Sequence, residues 1–241
     1  MTALQSLTLF SPTWGGLKSV LDHLTLPEME DFQISHPNFP HFRYGRISVY
    51  LKKTQCVKLR RLTLQKFTLW HDMEPFDFSS FPLIEDVEIA FTSPHSRCLA
   101  FVMTLLCPKD YESRLVEDRD LLPRLKRLVI RGCCRTATPT INAEIMLALE
   151  RRAFHNEPFI DIPGEGVRRA KIQEFVMVDE GDYRPQFRHP PDFSPAARQM
   201  MTGLVDRGVR VVIGLKKDND ALLSNTRTYE LDTLAQHYEC K

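Results

Sequence analysis

The chain has 241 residues, of which 43% are hydrophobic and 26% are charged, a composition typical of folded proteins. Its 32 lysines and arginines are balanced by 31 aspartates and glutamates, which argues against a protein drawn to nucleic acid or to anionic membranes by net charge. The length alone allows either one domain or two.

Targeting signals and cysteine spacing indicate the compartment. The N-terminus, MTALQSLTLF, has neither the basic segment nor the long apolar segment of a secretory signal. The longest apolar run, 98–107, has ten residues and is too short to cross a bilayer. The cysteines lie mostly in apolar frames rather than at the spacings of a disulfide scaffold: Cys56, Cys98, Cys107, Cys133, Cys134 and Cys240. We therefore expect an intracellular protein, cytoplasmic or nuclear, with no membrane partner.

An apolar frame of the form Leu-x-x-Leu-x-Leu recurs along the chain. Its last two apolar positions are two residues apart, which is the period of a β-strand, so each frame predicts one short strand with these side chains facing the core. In chain order the frames are Leu4-Leu7-Leu9, Met29-Phe32-Ile34, Leu59-Leu62-Leu64, Ile84-Val87-Ile89, Leu125-Leu128-Ile130, Ile172-Phe175-Met177 and a shorter Val209-Val211-Ile213.

Stretches with a helical period separate most of these strands. In the first, Leu17, Val20, Leu21 and Leu24 fall on one face of a helix. The later stretches carry end signals, such as Ser194 before a proline at the start of the last one and Gly208 at its end. Helices are thus predicted within 15–27, 43–54, 96–108, 138–154 and 194–208.

The alternation of strands with helices predicts parallel strands in one sheet. The strands of a sheet covered on both faces are continuous apolar runs, whereas these alternate, so helices are expected on one face only. This is the leucine-rich-repeat arrangement. We predict an α/β fold: an irregular leucine-rich-repeat solenoid with a curved parallel sheet and helices on its convex side. A single domain is expected over 1–241, with a long proline-rich loop at 179–195 and a C-terminal capping segment at 215–241.

The segment LPRLKRLVIRGC, 122–133, matches the repeat frame L-x-x-L-x-L-x-x-N/C through Leu125, Leu128, Ile130 and Cys133. Together with LALERRAF and LVDRGVRVVIG, it resembles the C-terminal repeat region of basidiomycete F-box-type proteins. The resemblance implies a protein-recognition module, the substrate-binding part of a ubiquitin-ligase receptor. A Skp1-like adaptor is implied only if an F-box lies upstream, because the first frame opens at Leu4 and leaves no room for one within the chain.

From the second frame onward, the outward residue before the second apolar position alternates in charge. The series is Ser6, Asp31, Arg61, Asp86, Arg127 and Glu174. Such a row is either a patterned recognition surface or a ladder that neutralises itself and keeps an exposed face soluble. Both alternatives argue against a nucleic-acid partner, since a phosphate backbone requires clustered lysines and arginines.

The outward positions become apolar toward the C-terminal strands. We expect a patch on the open face that binds an unknown protein partner, and the loop that follows the sixth strand adds two aromatic side chains. Two alternatives stand: the 179–195 loop packs on the patch, or the patch is free. The candidate contact residues are Val129, Arg131, Val176, Val178, Arg210, Val212, Tyr183 and Phe187.

Motifs for catalysis, metal or cofactor binding are not found in the sequence. Close Cys/His pairs of the zinc type, a G-x-S-x-G turn and a glycine-rich phosphate loop are all missing. We therefore expect no catalytic residues, no metal and no cofactor, and the protein is predicted not to be an enzyme. The alternatives are a stand-alone repeat scaffold without a ubiquitin link and, less favoured, an enzyme with its site under the 179–195 loop.

Overall fold

A computed structural model of the chain describes residues 4–10, 14–35, 44–67, 76–91, 96–106, 122–132, 139–154, 170–179 and 194–215. The strands are β1 (Ser6–Phe10), β2 (Asp31–Ser35), β3 (Arg61–Phe67), β4 (Asp86–Phe91), β5 (Arg127–Arg131), β6 (Glu174–Asp179) and β7 (Arg210–Leu215). The α-helices are α1 (Trp14–Asp22), α2 (Tyr44–Lys53), α3 (Ser96–Leu106), α4 (Pro139–Phe154) and α5 (Pro195–Asp206). A short 3-10 helix, Phe78–Ser80, precedes β4.

The strands form one seven-stranded sheet in chain order, and every neighbouring pair is parallel. The register confirms the alignment of the frames residue for residue, as in the pairing of Leu128 with Phe175 and of Ile130 with Met177. One shift interrupts it, between Gln65 and Phe67 at the end of β3. The coarse prediction of an α/β fold with a single parallel sheet is confirmed.

The five helices share one apolar core with one face of the sheet. Each contributes side chains that are no more than 2% exposed to the same cluster as the inward-facing strand residues. Examples are Leu17 and Leu21 of α1, Ile47 and Leu51 of α2, Val102 and Leu105 of α3, Ile145 and Leu149 of α4, and Ala197 and Leu204 of α5. The opposite face, which we call the open face, carries the remaining strand side chains.

A recurring turn explains why the frame is preceded by an apolar residue and a proline in three repeats. In each, the carbonyl before the proline accepts a hydrogen bond from the N–H three residues later, which closes a turn that proline favours at its second position. These bonds run from Met29 to Leu26 (3.3 Å), from Ile84 to Phe81 (3.2 Å) and from Leu125 to Leu122 (3.2 Å). All six side chains are buried, so each turn also anchors the start of its strand to the core.

The predicted ends of α5 are confirmed. The Ser194 hydroxyl accepts a hydrogen bond from the N–H of Ala197 at 3.2 Å and caps the first turn. At the other end Gly208 has a φ of +85°, and the N–H of Val209 donates to the Leu204 carbonyl at 3.0 Å. This is the Schellman arrangement that glycine permits.

Several predictions fall on residues outside the described ranges. These include 180–193 of the proline-rich loop with Tyr183 and Phe187, 216–241 of the capping segment, and Cys107, Cys133, Cys134 and Cys240. Within the described ranges, no helix combines the length and the apolar character that a membrane-spanning segment needs.

Candidate recognition surface

The open face is a regular grid because every strand pairs with its neighbour in the same register. Three outward rows cross the sheet at right angles to the strands, and neighbouring strands lie about 4.8 Å apart. From β1 to β7 the rows are Ser6-Asp31-Arg61-Asp86-Arg127-Glu174-Arg210, Thr8-Gln33-Thr63-Glu88-Val129-Val176-Val212 and Phe10-Ser35-Gln65-Ala90-Arg131-Val178-Gly214. The first row from Asp31 onward is the charge ladder.

Arg127 is the centre of the charge ladder. Its guanidinium donates to Asp86 at 2.7 Å on one side and to Glu174 at 2.7 Å on the other, and it lies 3.7 Å from Glu88 in the next row. The side chain is 22% exposed, so solvent screens these pairs less than it screens a fully exposed pair. One cation thus serves three carboxylates contributed by two neighbouring strands.

The pKa values at this centre reflect a balance between burial and charge. Burial raises the pKa of the Asp86 carboxyl, and the positive charge and hydrogen bond of Arg127 only partly offset this. For Arg127 itself, burial lowers the pKa, but the carboxylates of Asp86 and Glu174 outweigh it and the guanidinium pKa is raised. Arg127 is therefore a permanent cation whose charge opposes the effect of burial on the Asp86 carboxyl.

Two predicted contact arginines are engaged within the same network. Arg131 donates to Glu88 at 2.9 Å, and Arg210 donates to Glu174 at 2.9 Å. Their side chains are 22% and 32% exposed. A partner that binds either arginine therefore has to compete with an internal carboxylate or include that carboxylate in its own contacts.

The four valines predicted as a patch lie side by side on β5, β6 and β7. They form an apolar cluster separate from the main core, which we call the valine patch: Val129, Val176, Val178 and Val212. They are 1 to 8% exposed, so the patch is buried in the folded chain. This burial fits a covered patch better than a free one, while the loop expected to cover it lies mostly outside the described residues.

A second charged row was not recognised in the sequence. It comes one residue before the charge ladder and also alternates: Glu30, Arg60, Glu85 and Lys126. Lys126 lies 2.8 Å from Glu85, and Arg60 lies 3.9 Å from Glu30. The signal was available, because the pairs Glu-Asp, Arg-Arg, Glu-Asp and Lys-Arg occupy the same two places of four successive frames. Two residues of like charge thus stand at the start of each of these four strands, and the corresponding two residues of the neighbouring strand carry the opposite charge.

The backbone of this second row explains why the strands start in register. The carbonyl of each residue accepts two N–H groups from the next strand, as when Glu30 accepts from Arg60 and Arg61, both at 2.8 Å. Glu85 does the same for Lys126 at 2.8 Å and Arg127 at 3.0 Å. The same pair of hydrogen bonds, from two successive N–H groups to one carbonyl, recurs at the start of each strand from β2 to β6. It places the charged pairs of neighbouring strands directly beside one another.

No family model, curated protein or solved structure matches the chain. The resemblance to F-box-type repeat regions therefore stays a prediction, and a functional proposal has to be based on the charges and the exposure of the open face.

The described side chains offer little for catalysis. Among them, no group of three histidine, cysteine or acidic side chains converges as a metal site requires. Cys56 and Cys98 are buried thiols, and burial raises the pKa of Cys56 to about 12, which keeps it protonated and unreactive at neutral pH. The carboxylates on the open face are paired with arginines, an arrangement suited to recognition and solubility rather than to proton transfer.

Proposed function

We propose that this chain is a leucine-rich-repeat module whose open face binds a protein partner. The observation that carries the proposal is the charge pattern: the sign of the charge ladder alternates strand by strand from β2 to β7, across a sheet face that the described helices leave uncovered. A repeated strand, turn and junction geometry supports the repeat assignment. Recognition by patterned charge provides specificity, because a mismatched partner places like charges together.

The first contacts of such a partner are expected at the β2–β3 end of the ladder. Arg61 is 60% exposed and lies 3.2 Å from Asp31, whereas Arg127 is 22% exposed. Exposed charges steer encounter and can exchange an internal partner for an external one at small cost. The valine patch, with Arg131 and Arg210 beside it, supplies apolar contact area to a partner only after it is uncovered.

The test compares two charge reversals with closely matched surroundings. Arg61→Glu alters the open face, and Lys53→Glu alters α2 on the helical side. Both side chains are well exposed, 60% and 65%, and each lies 3.2 Å from one aspartate, Asp31 and Asp22 respectively. Each reversal is expected to change the free energy of unfolding by about 1 kcal/mol or less. Proteins captured by wild type and by each variant are then quantified by mass spectrometry.

We expect at least one protein to be captured by wild type and by Lys53→Glu but lost with Arg61→Glu. Direct titration of that protein should show at least a tenfold weaker affinity for Arg61→Glu. If both variants capture the same proteins as wild type, or if only Lys53→Glu loses capture, recognition by the open face is wrong.

The ubiquitin link within this proposal depends on the resemblance to F-box-type proteins. If the chain is the substrate-binding part of such a receptor, depletion of the Skp1-like adaptor should lengthen the half-life of the captured partner in cells. An unchanged half-life would remove the ubiquitin role and leave a stand-alone repeat scaffold that binds the same partner.

A further inference from the structure

The β1 end of the sheet leaves its core partly exposed. In β2–β7 the two inward-facing frame residues of each strand are 0 or 1% exposed, whereas Leu7 and Leu9 of β1 are only half-buried. This is not a general property of an edge strand, because β7 at the other edge buries Val211 and Ile213 completely. The β1 end therefore exposes apolar surface at positions that are buried in the other strands.

Other apolar side chains extend this exposed end. Leu4 is 47% exposed, and Val20 of α1, which the helical period placed on one face with Leu17 and Leu21, is 45% exposed. Asp22 accepts a hydrogen bond from Lys53 of α2 at 3.2 Å, which defines the flank of α1 that faces α2. At about 100° per residue, Val20 falls on the opposite flank of α1, beside the β1 end. Strand and helix thus both have exposed apolar side chains at this end of the sheet.

The backbone of β1 is also available for pairing. In the part of the chain that the structure describes, β1 pairs with β2 alone. The Gln5 carbonyl accepts from Glu30 and Asp31 of the neighbouring segment, at 2.9 and 3.0 Å, so the peptide groups of Ser6, Thr8 and Phe10 alternate to the other side. The strand sequence, SLTLF, contains none of the lysines or prolines that protect edge strands from association.

We propose that the β1 edge binds a second copy of this chain through antiparallel β1–β1 pairing about a two-fold axis at Thr8. The strand is nearly symmetric about Thr8, so Leu7 of each copy lies opposite Leu9 of the other and their half-buried side chains complete each other's core. The peptide groups that face the free edge are the ones this register joins. The two α1 helices then meet along their Val20 flanks.

Charge favours a second copy over another protein strand at this edge. β1 has Ser6 at the ladder position where each of the other six strands carries a charged residue. A partner strand with a charged residue at the ladder position would place that charge beside Ser6, which carries no opposite charge. A second β1 brings only uncharged outward residues to this edge, Ser6, Thr8 and Phe10. This pairing uses the same β1 edge of both copies, so the assembly stops at a dimer, as expected for an isologous interface.

The test is the mass of the purified chain by light scattering across a dilution series. Wild type is expected at twice the chain mass of 28.0 kDa at high concentration. Thr8→Lys should give 28.0 kDa throughout, because the two-fold axis sets the two introduced ammonium groups opposite each other. Gln33→Lys is the matched control: Gln33 pairs with Thr8 in the same outward row, but on β2, and should leave the dimer unchanged.

A monomeric wild type at every concentration would overturn the proposal, as would a Thr8→Lys variant that remains dimeric. Hydrogen exchange adds a second readout: the amides of Ser6, Thr8 and Phe10 should be protected in wild type and lose protection on dilution. Unprotected amides in a dimer would place the interface elsewhere. The Arg61→Glu variant should keep the wild-type mass, so the failure of partner recognition and the failure of dimerisation are separate results.

Discussion

Gly132, directly after β5, is held in place by three strands. Its φ is +81°, and its N–H donates to the Val178 carbonyl of β6 at 2.8 Å. A Cβ at this position would lie 2.7 Å from the Phe91 carbonyl oxygen at the end of β4. We therefore predict that Gly132→Ala lowers the free energy of unfolding by about 2 to 3 kcal/mol, measured by urea denaturation, because left-handed strain and a backbone clash add.

Gly203 of α5 is the matched control for this substitution. A Cβ there meets nothing within 4 Å, and its φ is not positive. Gly203→Ala is expected to raise the free energy of unfolding by up to about 1 kcal/mol through helix propensity. Equal effects of the two substitutions would contradict the role given to Gly132.

Gln55 shows where residue-level prediction from sequence fails. Its φ is 60°, and it follows α2 as Gly208 follows α5: the N–H of Cys56 donates to the Leu51 carbonyl at 3.0 Å, and the N–H of Gln55 donates to Lys52 at 3.0 Å. Gly208 was predictable because glycine adopts this backbone conformation without strain. Glutamine gives no such signal, so the stop after α2 follows from tertiary packing rather than from residue type.

A buried arginine of helix α4 forms hydrogen bonds with the end of α3 and with the turn before β5. Arg152 is 2% exposed and donates to the carbonyls of Leu105 at 2.9 Å and Leu106 at 3.4 Å, which end α3. It also donates to the carbonyl of Leu122 in the turn before β5. The last carbonyls of a helix have no partner within that helix, and Arg152 supplies one from its neighbour.

We predict that Arg152→Met lowers the free energy of unfolding by about 2 to 4 kcal/mol, because buried carbonyls lose a charged donor. Arg151→Met is the control on the adjacent, exposed position and should change the value by about 0.5 kcal/mol or less. Thermal or urea unfolding of both variants measures the difference. Similar losses in the two would mean that the hydrogen bonds of Arg152 contribute little.

The sequence predicted all five helices but not the role of Arg152. Helical phase places it three residues after Leu149, on the inward face, yet arginine is usually exposed and the adjacent Arg151 is indistinguishable by type. Periodicity identifies which face of an element is buried. It does not identify the backbone groups of another helix that a buried polar side chain will meet, because these depend on packing between elements.

For the whole molecule, the sheet was more predictable than its surface. Residue-for-residue alignment of the frames was enough to give strand order and register, since one repeated geometry applies at every junction. The position of the valine patch followed from the same alignment, but the burial of Val176 did not. Alternation shows that a side chain points to the open face, whereas coverage of that face depends on segments without periodicity.

The charge ladder runs from β2 to β7, and its contribution to stability depends on pH. Arg127→Gln removes the cation that lowers the pKa of Asp86, so burial raises that pKa further above its unfolded value. A carboxyl of this kind costs stability above its folded pKa, and the cost disappears below its unfolded pKa of about 4. Arg127→Gln should therefore be less stable than wild type by about 1 to 3 kcal/mol at pH 7, and this difference in the free energy of unfolding should narrow toward pH 4.

Arg61→Gln is the control in the same row, because the Arg61 side chain is 60% exposed. Its free energy of unfolding should differ from that of wild type by less than about 1 kcal/mol, and the difference should hardly change with pH. Urea unfolding across this pH range measures both, and a gap for Arg127→Gln that stays constant or widens on acidification would contradict the assignment of Arg127 as the centre of the ladder.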